Sequence, residues 1–166
     1  MRPRILIALL ALAASAFIYQ FSPFRSSRVD RIVINKSART LTTFHGDRKL
    51  KTYHVDLGHN PVGAKTEEGD LKTPEGTYTI DGHKADSDYH LALHISYPST
   101  ADRAQAEARS VTPGEDIEIH GWPNDFKSSG WKPSADWTSG CAAVTNSEIE
   151  ELYKVVPDGT TVEIRP

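Results

Sequence analysis

The chain has 166 residues, of which 38% are hydrophobic and 25% are charged, and it contains a single cysteine. This composition excludes a chain that is disordered over most of its length, a small disulfide-stapled scaffold and a metal site built from cysteines. The length is sufficient for one globular domain with a sizeable core.

The net charge of −3 conceals an uneven distribution. Four of the 19 basic residues, Arg2, Arg4, Arg25 and Arg28, precede Val29, which leaves 15 basic against 22 acidic residues in the rest of the chain. An acidic body repels a phosphate backbone, so nucleic acid is not expected as a partner. Small polar ligands and cell-wall polymers are compatible with this charge.

Residues 1–28 have the layout of an export signal. Basic residues come first, an apolar run covers residues 5–19, and Ala14-Ser15-Ala16 offers a cleavage site of the A-x-A type. Because the apolar run continues past that site, an uncleaved anchor in the inner membrane, followed by a short linker, is the alternative. In either case we expect the domain at residues 29–166 to work outside the cytoplasm, in the periplasm or cell envelope.

Alternating apolar and polar residues predict a β-rich first half of this domain. The turn signal His45-Gly46-Asp47 indicates a hairpin, and a long loop over residues 58–76 is of the kind that is usually functional or disordered. The predicted strands lie around Ile32 and Ile34, at Leu41 and Thr43, over Leu50–Leu57 and over Thr77–Ile80.

The second half predicts further strands and two helices. Good helix formers cover Ala101–Arg109, and a capping box at Thr145–Glu148 opens a helix that ends before Pro157. Strands are expected over His90–Tyr97, Asp116–His120 and Thr160–Ile164, and a loop over Trp122–Trp137. We therefore expect a mainly β domain, a sandwich or barrel with one or two helices, whose loops carry the site.

The single cysteine requires an explanation, because a lone thiol in an oxidising compartment is easily oxidised. Cys141 follows a glycine and lies just before the capped helix, where backbone N–H groups can face a developing oxyanion. A helix start favours a thiolate, so we expect the Cys141 pKa to lie below the ~8.5 of a free cysteine. His120 ends a strand before Gly121 and is the candidate base for acyl transfer.

These residues resemble the signature of the YkuD-type L,D-transpeptidase catalytic domain, which is a His, a spacer, Ser/Thr-His-Gly-Cys, and an Asn five residues after the Cys. Here His120 is followed after seventeen residues by Thr138-Ser139-Gly140-Cys141, and then by Asn146. The resemblance covers roughly residues 31–164. Its outer blocks are Lys65, Gly69-Asp70, Thr73-Pro74-Glu75-Gly76, Ile95-Ser96-Tyr97-Pro98 and residues 159–164.

The resemblance implies an L,D-transpeptidase-like β-sandwich or barrel with the catalytic cysteine on a loop just before a helix. It implies Cys141 as nucleophile, His120 as general base, and the Gly140 and Cys141 amides as oxyanion hole, with Thr138 and Ser139 in the catalytic motif. The implied substrate is a peptidoglycan stem peptide, cut at the L-centre of diaminopimelate. An amine acceptor then takes the acyl group, which crosslinks the wall or attaches an envelope protein. No cofactor is implied.

Two positions depart from the family pattern. Ser139 stands where the family usually has His, and Ala143 stands where it usually has Arg. The second change removes a fixed cation that can hold a carboxylate. Hydrolysis, with water replacing the amine, is therefore an alternative that would make the protein a carboxypeptidase or amidase. A non-catalytic wall-binding domain is the other alternative.

Several residues near the motif are candidates for substrate contact. Tryptophans 122, 131 and 137 suit either a substrate wall or core packing, and Thr73 suits either loop shaping or substrate contact. His90 and His94 have a spacing that suits zinc on a helix, but the strand-like alternation around them argues against a metal site. His94 remains a candidate for the border of the cleft. The full set is Gly121, Trp122, Trp137, Asn146, His94 and Thr73.

Overall fold

The computed structural model describes residues 28–126, 130 and 134–166. The predicted export segment up to residue 27 and Trp131 lie outside these residues. Within the described ranges, no helix is long and apolar enough to cross a membrane.

The described part of the chain forms eight strands and two helices. They are β1 Arg31–Asn35, β2 Thr40–His45, β3 Arg48–His54, β4 Gly76–Ser87, β5 His90–Ile95, α1 Thr100–Ala108, β6 Glu118–His120, β7 Ala142–Ala143, α2 Asn146–Val155 and β8 Thr161–Arg165.

The strands form one mixed sheet in the order β3-β2-β1-β8-β4-β5-β6-β7. Only β1 with β8 and β6 with β7 pair in parallel among the described strands. The two ends of this order meet, because Asp56, just after β3, pairs with Ala143 of β7 through N–H···O bonds of 2.9 and 2.8 Å. The sheet therefore curls towards closure, which confirms the prediction of a mainly β sandwich or barrel.

Alternation along the strands builds the core. In β1, Ile32 and Ile34 are fully buried while their neighbours are only half-buried, as the period of two requires. The core extends across the sheet to Leu41, Ile80, Leu93, Ile95, Ile119 and Val162 and to Ile149 and Leu152 of α2. Helix α2 begins with the predicted capping box, in which Thr145 accepts from the Glu148 N–H.

Two strands differ from the sequence prediction. Strand β4 extends to Ser87, well past the predicted Ile80, since it pairs first with β8 and then, across bulges, with β5. Strand β7 was not predicted at all, because Ala142 and Ala143 have low strand propensity and are extended only through pairing with β6 and Asp56.

The long loop between β3 and β4 is held by a buried lysine. Lys36 is 2% exposed, and its Nζ donates to the Gly63 carbonyl at 2.6 Å, the Thr73 carbonyl at 2.9 Å and Glu75 Oε1 at 2.8 Å. A buried ammonium is stable only with such partners. Thr73 in turn accepts from the Gly58 N–H at 3.1 Å. Gly58 lies against Gly140, so the β3–β4 loop is an ordered support beneath the loop that carries residues 138–141, which we name the motif loop.

Candidate active site

Strand register brings the cysteine and the histidine to one face of the sheet. His120 lies opposite Ala143 and Ile119 opposite Ala142, so the next position back sets Glu118 level with Cys141. Because side chains two residues apart share a face, Glu118, His120 and Cys141 all point to the same side. His120 and Cys141 both line a cavity of about 470 Å³.

Three segments line this cavity. The β4–β5 hairpin supplies one wall, β6 and the residues before it supply the second, and the motif loop supplies the third. The lining residues are Lys84, Asp86, Ser87, Asp88 and Tyr89, then Asp116, Glu118 and His120, then Trp137, Thr138, Ser139 and Cys141.

The His120 ring is fixed by its own neighbour. Its Nδ1 lies 2.7 Å from the Gly121 carbonyl oxygen, and a carbonyl can only accept, so Nδ1 carries the proton. Nε2 is then the atom that can take a proton. Residue 121 must be small here, since an added Cβ would lie 2.6 Å from Asn146 Oδ1 and 2.9 Å from the Tyr89 carbonyl oxygen.

Two aromatic rings pack against the imidazole. The Tyr89 ring lies 4.5 Å from the His120 ring between centroids, and the Trp137 ring lies 5.6 Å away at an interplanar angle of 69°. His120 is only 3% exposed as a result. This burial lowers the His120 pKa, against the smaller opposing effects of the Gly121 carbonyl and Glu118. The ring is therefore neutral near pH 7, as a proton acceptor must be.

The surroundings of Cys141 favour the protonated thiol over the thiolate. Burial raises the pKa of Cys141 to about 11, and the carboxylates of Glu118 and Asp116 add to the effect, while the Glu118 backbone and Lys84 oppose it. The prediction of a pKa below ~8.5 is wrong. It relied on the helix start, but β7 lies between Cys141 and α2, and a helix dipole acts only over the first turn.

The Cys141 thiol donates to a backbone carbonyl and not to His120. Sγ donates to the Asp116 carbonyl at 3.5 Å, and no hydrogen bond joins Cys141 to His120 among the described residues. Both side chains nevertheless line one cavity. Catalytic hydrogen bonds are often made only once substrate is bound.

The motif loop is held by the Thr138 hydroxyl. Its oxygen accepts from the Gly140 N–H at 3.1 Å and donates to the Cys141 carbonyl at 2.8 Å. The expected oxyanion donor at Gly140 is thus engaged, whereas the Cys141 N–H has no acceptor within the described chain. Gly140 has a φ of +142°, and an added Cβ would lie 2.7 Å from the Lys72 carbonyl oxygen, so only glycine fits.

The chain matches the family model of the L,D-transpeptidase catalytic domain, YkuD, over residues 29–164. It belongs to this family.

Relatives and solved structures agree with that assignment. YafK of Escherichia coli strain K12, provisionally named an L,D-transpeptidase, is 32% identical over 132 residues, covering 75% of this chain and 46% of YafK. The helical cell shape determining protein Pgp2 of Campylobacter jejuni, solved as its K307A mutant, superposes with a TM-score of 0.65 at 28% identity, covering 83% of this chain and 47% of Pgp2. The chain therefore spans about half the length of these relatives.

A more distant structure shows the fold alone. The L,D-transpeptidase from Mycobacterium smegmatis superposes with a TM-score of 0.52 at 15% identity, covering 81% of this chain and 58% of that one. The β-rich architecture described above is thus the L,D-transpeptidase fold.

The two positions expected to depart from the L,D-transpeptidase signature lie in different surroundings. Ser139 is exposed and lines the cavity. Ala143 is 1% exposed, packed between β6 and Asp56, and leaves that position without a cation.

The remaining residues of the signature and its flanks divide into two groups. Trp137 lines the cavity, and Asn146 Oδ1 accepts from the Trp122 N–H at 2.7 Å, which fixes the chain just after His120. Trp122 instead packs edge-on against Phe126, with ring centroids 5.2 Å apart, and does not line the cavity. Thr73 is fully buried beneath the motif loop and does not reach the cavity either.

The two histidines of β5 have separate partners. His94 Nδ1 lies 2.5 Å from Asp81 Oδ1, and His90 Nε2 lies 2.8 Å from Glu150 Oε1. His94 stands beside the cavity rather than in its wall, with Nε2 at 3.8 Å from Asp116 Oδ1. Across the described ranges, no group of three or more His, Cys, Asp or Glu side chains is placed to hold a metal ion.

Seven residues of this L,D-transpeptidase cavity were missed by sequence reasoning: Lys84, Asp86, Ser87, Asp88, Tyr89, Asp116 and Glu118. Glu118 had a usable signal, because it precedes His120 by two residues on a predicted strand and therefore shares its face. Lys84 and Tyr89 had none, since β4 was predicted to end before them. Asp116 has a left-handed backbone conformation, with φ of +56°, and its carbonyl oxygen accepts from the Cys141 thiol.

Proposed function

We propose that this domain is a cysteine acyltransferase of peptidoglycan stem peptides, acting as an L,D-transpeptidase. The observation that carries the proposal is the pairing of Cys141 with a neutral His120 in one cavity, with His120 Nδ1 tied to the Gly121 carbonyl and Nε2 left for the proton. Family membership supports the same chemistry. The acyl donor is the L-centre carbonyl of diaminopimelate.

The proton and the nucleophile move together in this mechanism. The thiol of Cys141 turns from the Asp116 carbonyl, gives its proton to His120 Nε2, and the sulfur attacks the amide carbon. A raised thiol pKa and a lowered imidazole pKa argue against a resting thiolate–imidazolium pair. The Cys141 N–H is available to the developing oxyanion.

Collapse of the tetrahedral intermediate completes the first half-reaction. The C–N bond breaks, the imidazolium of His120 gives its proton to the leaving amine, and the acyl group remains as a thioester on Cys141. An amine acceptor then attacks the thioester, loses a proton to His120, and leaves as the new amide while the thiol is restored. The product is a crosslink or a wall-attached envelope protein.

Acyl-enzyme formation tests the proposal. Intact mass spectrometry of the purified protein, incubated with a tetrapeptide muropeptide or a carbapenem, should show one adduct that maps to Cys141. Cys141→Ala should show none. Absence of any adduct on the wild type, or an equal adduct on Cys141→Ala, would overturn the proposal.

Hydrolysis is the second candidate, and the site offers a specific reason for it. Ala143 supplies no cation to hold a carboxylate of the acceptor, and the cavity wall carries four carboxylates against one lysine. If water takes the acyl group, the enzyme is a carboxypeptidase or amidase. Product analysis on defined muropeptides decides, because crosslinked or protein-linked products arise only by transfer to an amine.

A non-catalytic wall-binding role would give a third pattern. The wild type would turn over no muropeptide, while Cys141→Ala would still be retained by sacculi in a pull-down assay. The intact cysteine and the fixed histidine favour catalysis over this role.

We also propose that the protein acts in the periplasm or cell envelope, directed there by residues 1–28 as a cleaved signal or as an anchor through residues 5–19. Its likeness to Pgp2, described as a helical cell shape determining protein, supports a contribution to cell shape. Fractionation of cells producing the full chain, with N-terminal sequencing of the product, tests export and cleavage. Retention in the cytoplasm would contradict this proposal.

A further inference from the structure

A lysine two strands away from His120 reaches the cavity that Cys141 also lines. Lys84 of β4 pairs with Ala92 of β5, which pairs with His120 of β6, so the three residues form one row across the sheet. Directly paired residues face the same side, which puts the Lys84 side chain on the face of the cavity. The small, buried Ala92 leaves space in this row. Lys84 Nζ lies 2.5 Å from Glu118 Oε1 and 3.6 Å from Asp116 Oδ1.

Glu118 is the residue that holds this lysine. It is 8% exposed and lies level with Cys141 across the β6–β7 pair. A carboxylate so buried requires a charged or hydrogen-bonding partner, and Lys84 is the partner that the structure shows. The Lys84 side chain is 44% exposed, so the ion pair runs from the buried wall to the mouth of the cavity.

The reaction generates negative charge in a place that otherwise opposes it. Cys141 shares its cavity with Glu118 and the neutral His120 from β6, with Asp116 before β6, and with Lys84, Asp86 and Asp88 from the β4–β5 hairpin. Among the described lining residues, Lys84 alone carries a permanent positive charge. The Gly140 N–H is engaged by Thr138, and position 143 is a buried alanine.

We propose that Lys84 is a positioning residue for the nucleophile, held beside Cys141 by Glu118 so that its ammonium balances the negative charge that develops on sulfur as the thiol proton leaves. No bond forms to Lys84. The proton passes from Sγ to His120 Nε2, and the electron pair stays on sulfur for the attack. The inference rests on the proposed role of Cys141 as nucleophile.

The pair also explains how a fixed cation serves a site that lacks the arginine usual at position 143. Lys84 lies on β4, and residue 143 lies on β7, on the other side of β6. A cation at position 84 therefore approaches the cavity from a different strand than a cation at position 143 would. Glu118 does not cancel the effect of Lys84, because it fixes the ammonium in place while its own charge is partly neutralised.

Thiol alkylation tests the inference without peptidoglycan. The rate at which iodoacetamide modifies Cys141 is measured from pH 7 to 10.5 on the full chain, for wild type, Lys84→Met and Glu118→Gln. At pH 8, Lys84→Met should slow alkylation by about three- to tenfold, because it removes the attracting charge. Glu118→Gln should accelerate it by a similar factor, because glutamine removes a repelling charge but keeps an acceptor oxygen that holds the Lys84 ammonium. Lys84→Arg should restore the wild-type rate to within about twofold.

Opposite directions are the diagnostic result, since a merely structural role would shift both variants the same way. Lys154→Met, a lysine of α2 outside the cavity, is the matched control and should leave the rate unchanged. If Glu118→Gln does not fold, Asp116→Asn takes its place and should accelerate alkylation by a smaller factor, because Asp116 is 71% exposed.

Two outcomes overturn the inference. Either Lys84→Met alkylates like the wild type and like Lys154→Met, or both charge removals change the rate in one direction. A chain that is inactive on every muropeptide but shows the opposite shifts would refute the proposed function and leave the role of Lys84 in place. A chain that turns over muropeptides but lacks these shifts would support the proposed function and overturn the role of Lys84.

Discussion

The segment that carries the proposed base and the segment that carries the proposed nucleophile are positioned in different ways. We name residues 118–122 the base segment and residues 136–143 the nucleophile segment. In the base segment, hydrogen bonds hold the chain: Gly121 N–H donates to the Tyr89 carbonyl at 3.0 Å, and Trp122 N–H donates to Asn146 Oδ1 at 2.7 Å. Each of these is one of several hydrogen bonds that hold the base segment in place.

The nucleophile segment is held by close approach of backbones. A Cβ on Gly58 would lie 3.1 Å from the Gly140 Cα, and one on Gly140 would lie 2.7 Å from the Lys72 carbonyl oxygen. Ahead of it, Asp136 accepts from Arg39 and from the Leu57 N–H at 3.0 Å. It follows that the base segment should tolerate the loss of one of its hydrogen bonds, whereas the nucleophile segment, like Gly121 within the base segment, should not tolerate an added atom.

Gly140→Ala should give the largest effect. The new methyl group must displace the β3–β4 loop at Lys72, and alanine disfavours a φ of +142°. We therefore expect kcat/KM to fall by at least about 100-fold and the free energy of unfolding to fall by about 1–3 kcal/mol. Muropeptide turnover and denaturant unfolding measure the two losses.

Gly159→Ala is the matched control for that variant. Gly159 also has a positive φ, +83°, but nothing lies within 4 Å of an added Cβ. It should therefore cost about 1 kcal/mol of stability and leave turnover intact. Equal turnover by both alanine variants would show that close backbone approach at Gly140 does not position the nucleophile segment.

Asn146→Ala tests the base segment and should have a moderate effect. It removes the acceptor of the Trp122 N–H, so the chain after His120 loosens. We expect kcat to fall about tenfold with KM little changed, and stability to fall by about 1 kcal/mol. Asn146→Asp keeps an acceptor oxygen and should recover most of the activity.

The neighbouring Ser147 is the control for this position. It is exposed at the start of α2, and its hydroxyl contacts only Thr145 among the described residues. Ser147→Ala should leave kcat unchanged. If Asn146→Ala also left it unchanged, the clamp after His120 would have no role in positioning the base.

The sequence was sufficient where local patterns decide structure. Alternation of Ile32 and Ile34 predicted a strand with one buried face, and Thr145 with Glu148 predicted the start of α2. The family signature predicted the partnership of His120 and Cys141, which the structure places in one cavity. Each of these depends on residues that are close in sequence or on a motif of fixed order.

The sequence was insufficient where contacts between distant segments decide the structure. Strand β7 forms only through its pairing with β6. The cavity wall at Lys84 depends on the second half of β4, where bulges interrupt the alternation of apolar and polar residues that predicts a strand. The thiol pKa was mispredicted for the same reason, since burial and the Glu118 carboxylate arise from packing between strands.

The dependence of stability on pH should give the smallest effect. His120 in the base segment should change stability at acidic pH, and Cys141 in the nucleophile segment should change it at basic pH. Burial lowers the His120 pKa, so the unfolded chain binds a proton more readily. His120 therefore contributes stability above its ordinary pKa of about 6.5, and that contribution is lost as the pH falls. Because the Cys141 pKa is raised to about 11, its contribution is present below the ordinary value and is lost as the pH rises towards 11.

Thermal unfolding from pH 5 to 10.5 measures both. Relative to wild type, His120→Gln should flatten the fall in Tm below pH 6.5, and Cys141→Ala should flatten the fall above pH 9. The other histidines titrate in every variant, so only the difference between curves reports on His120. If His120→Gln altered the basic limb, or Cys141→Ala the acidic one, the two segments would be titrating as a coupled pair, and the resting thiol would already share its proton with the imidazole.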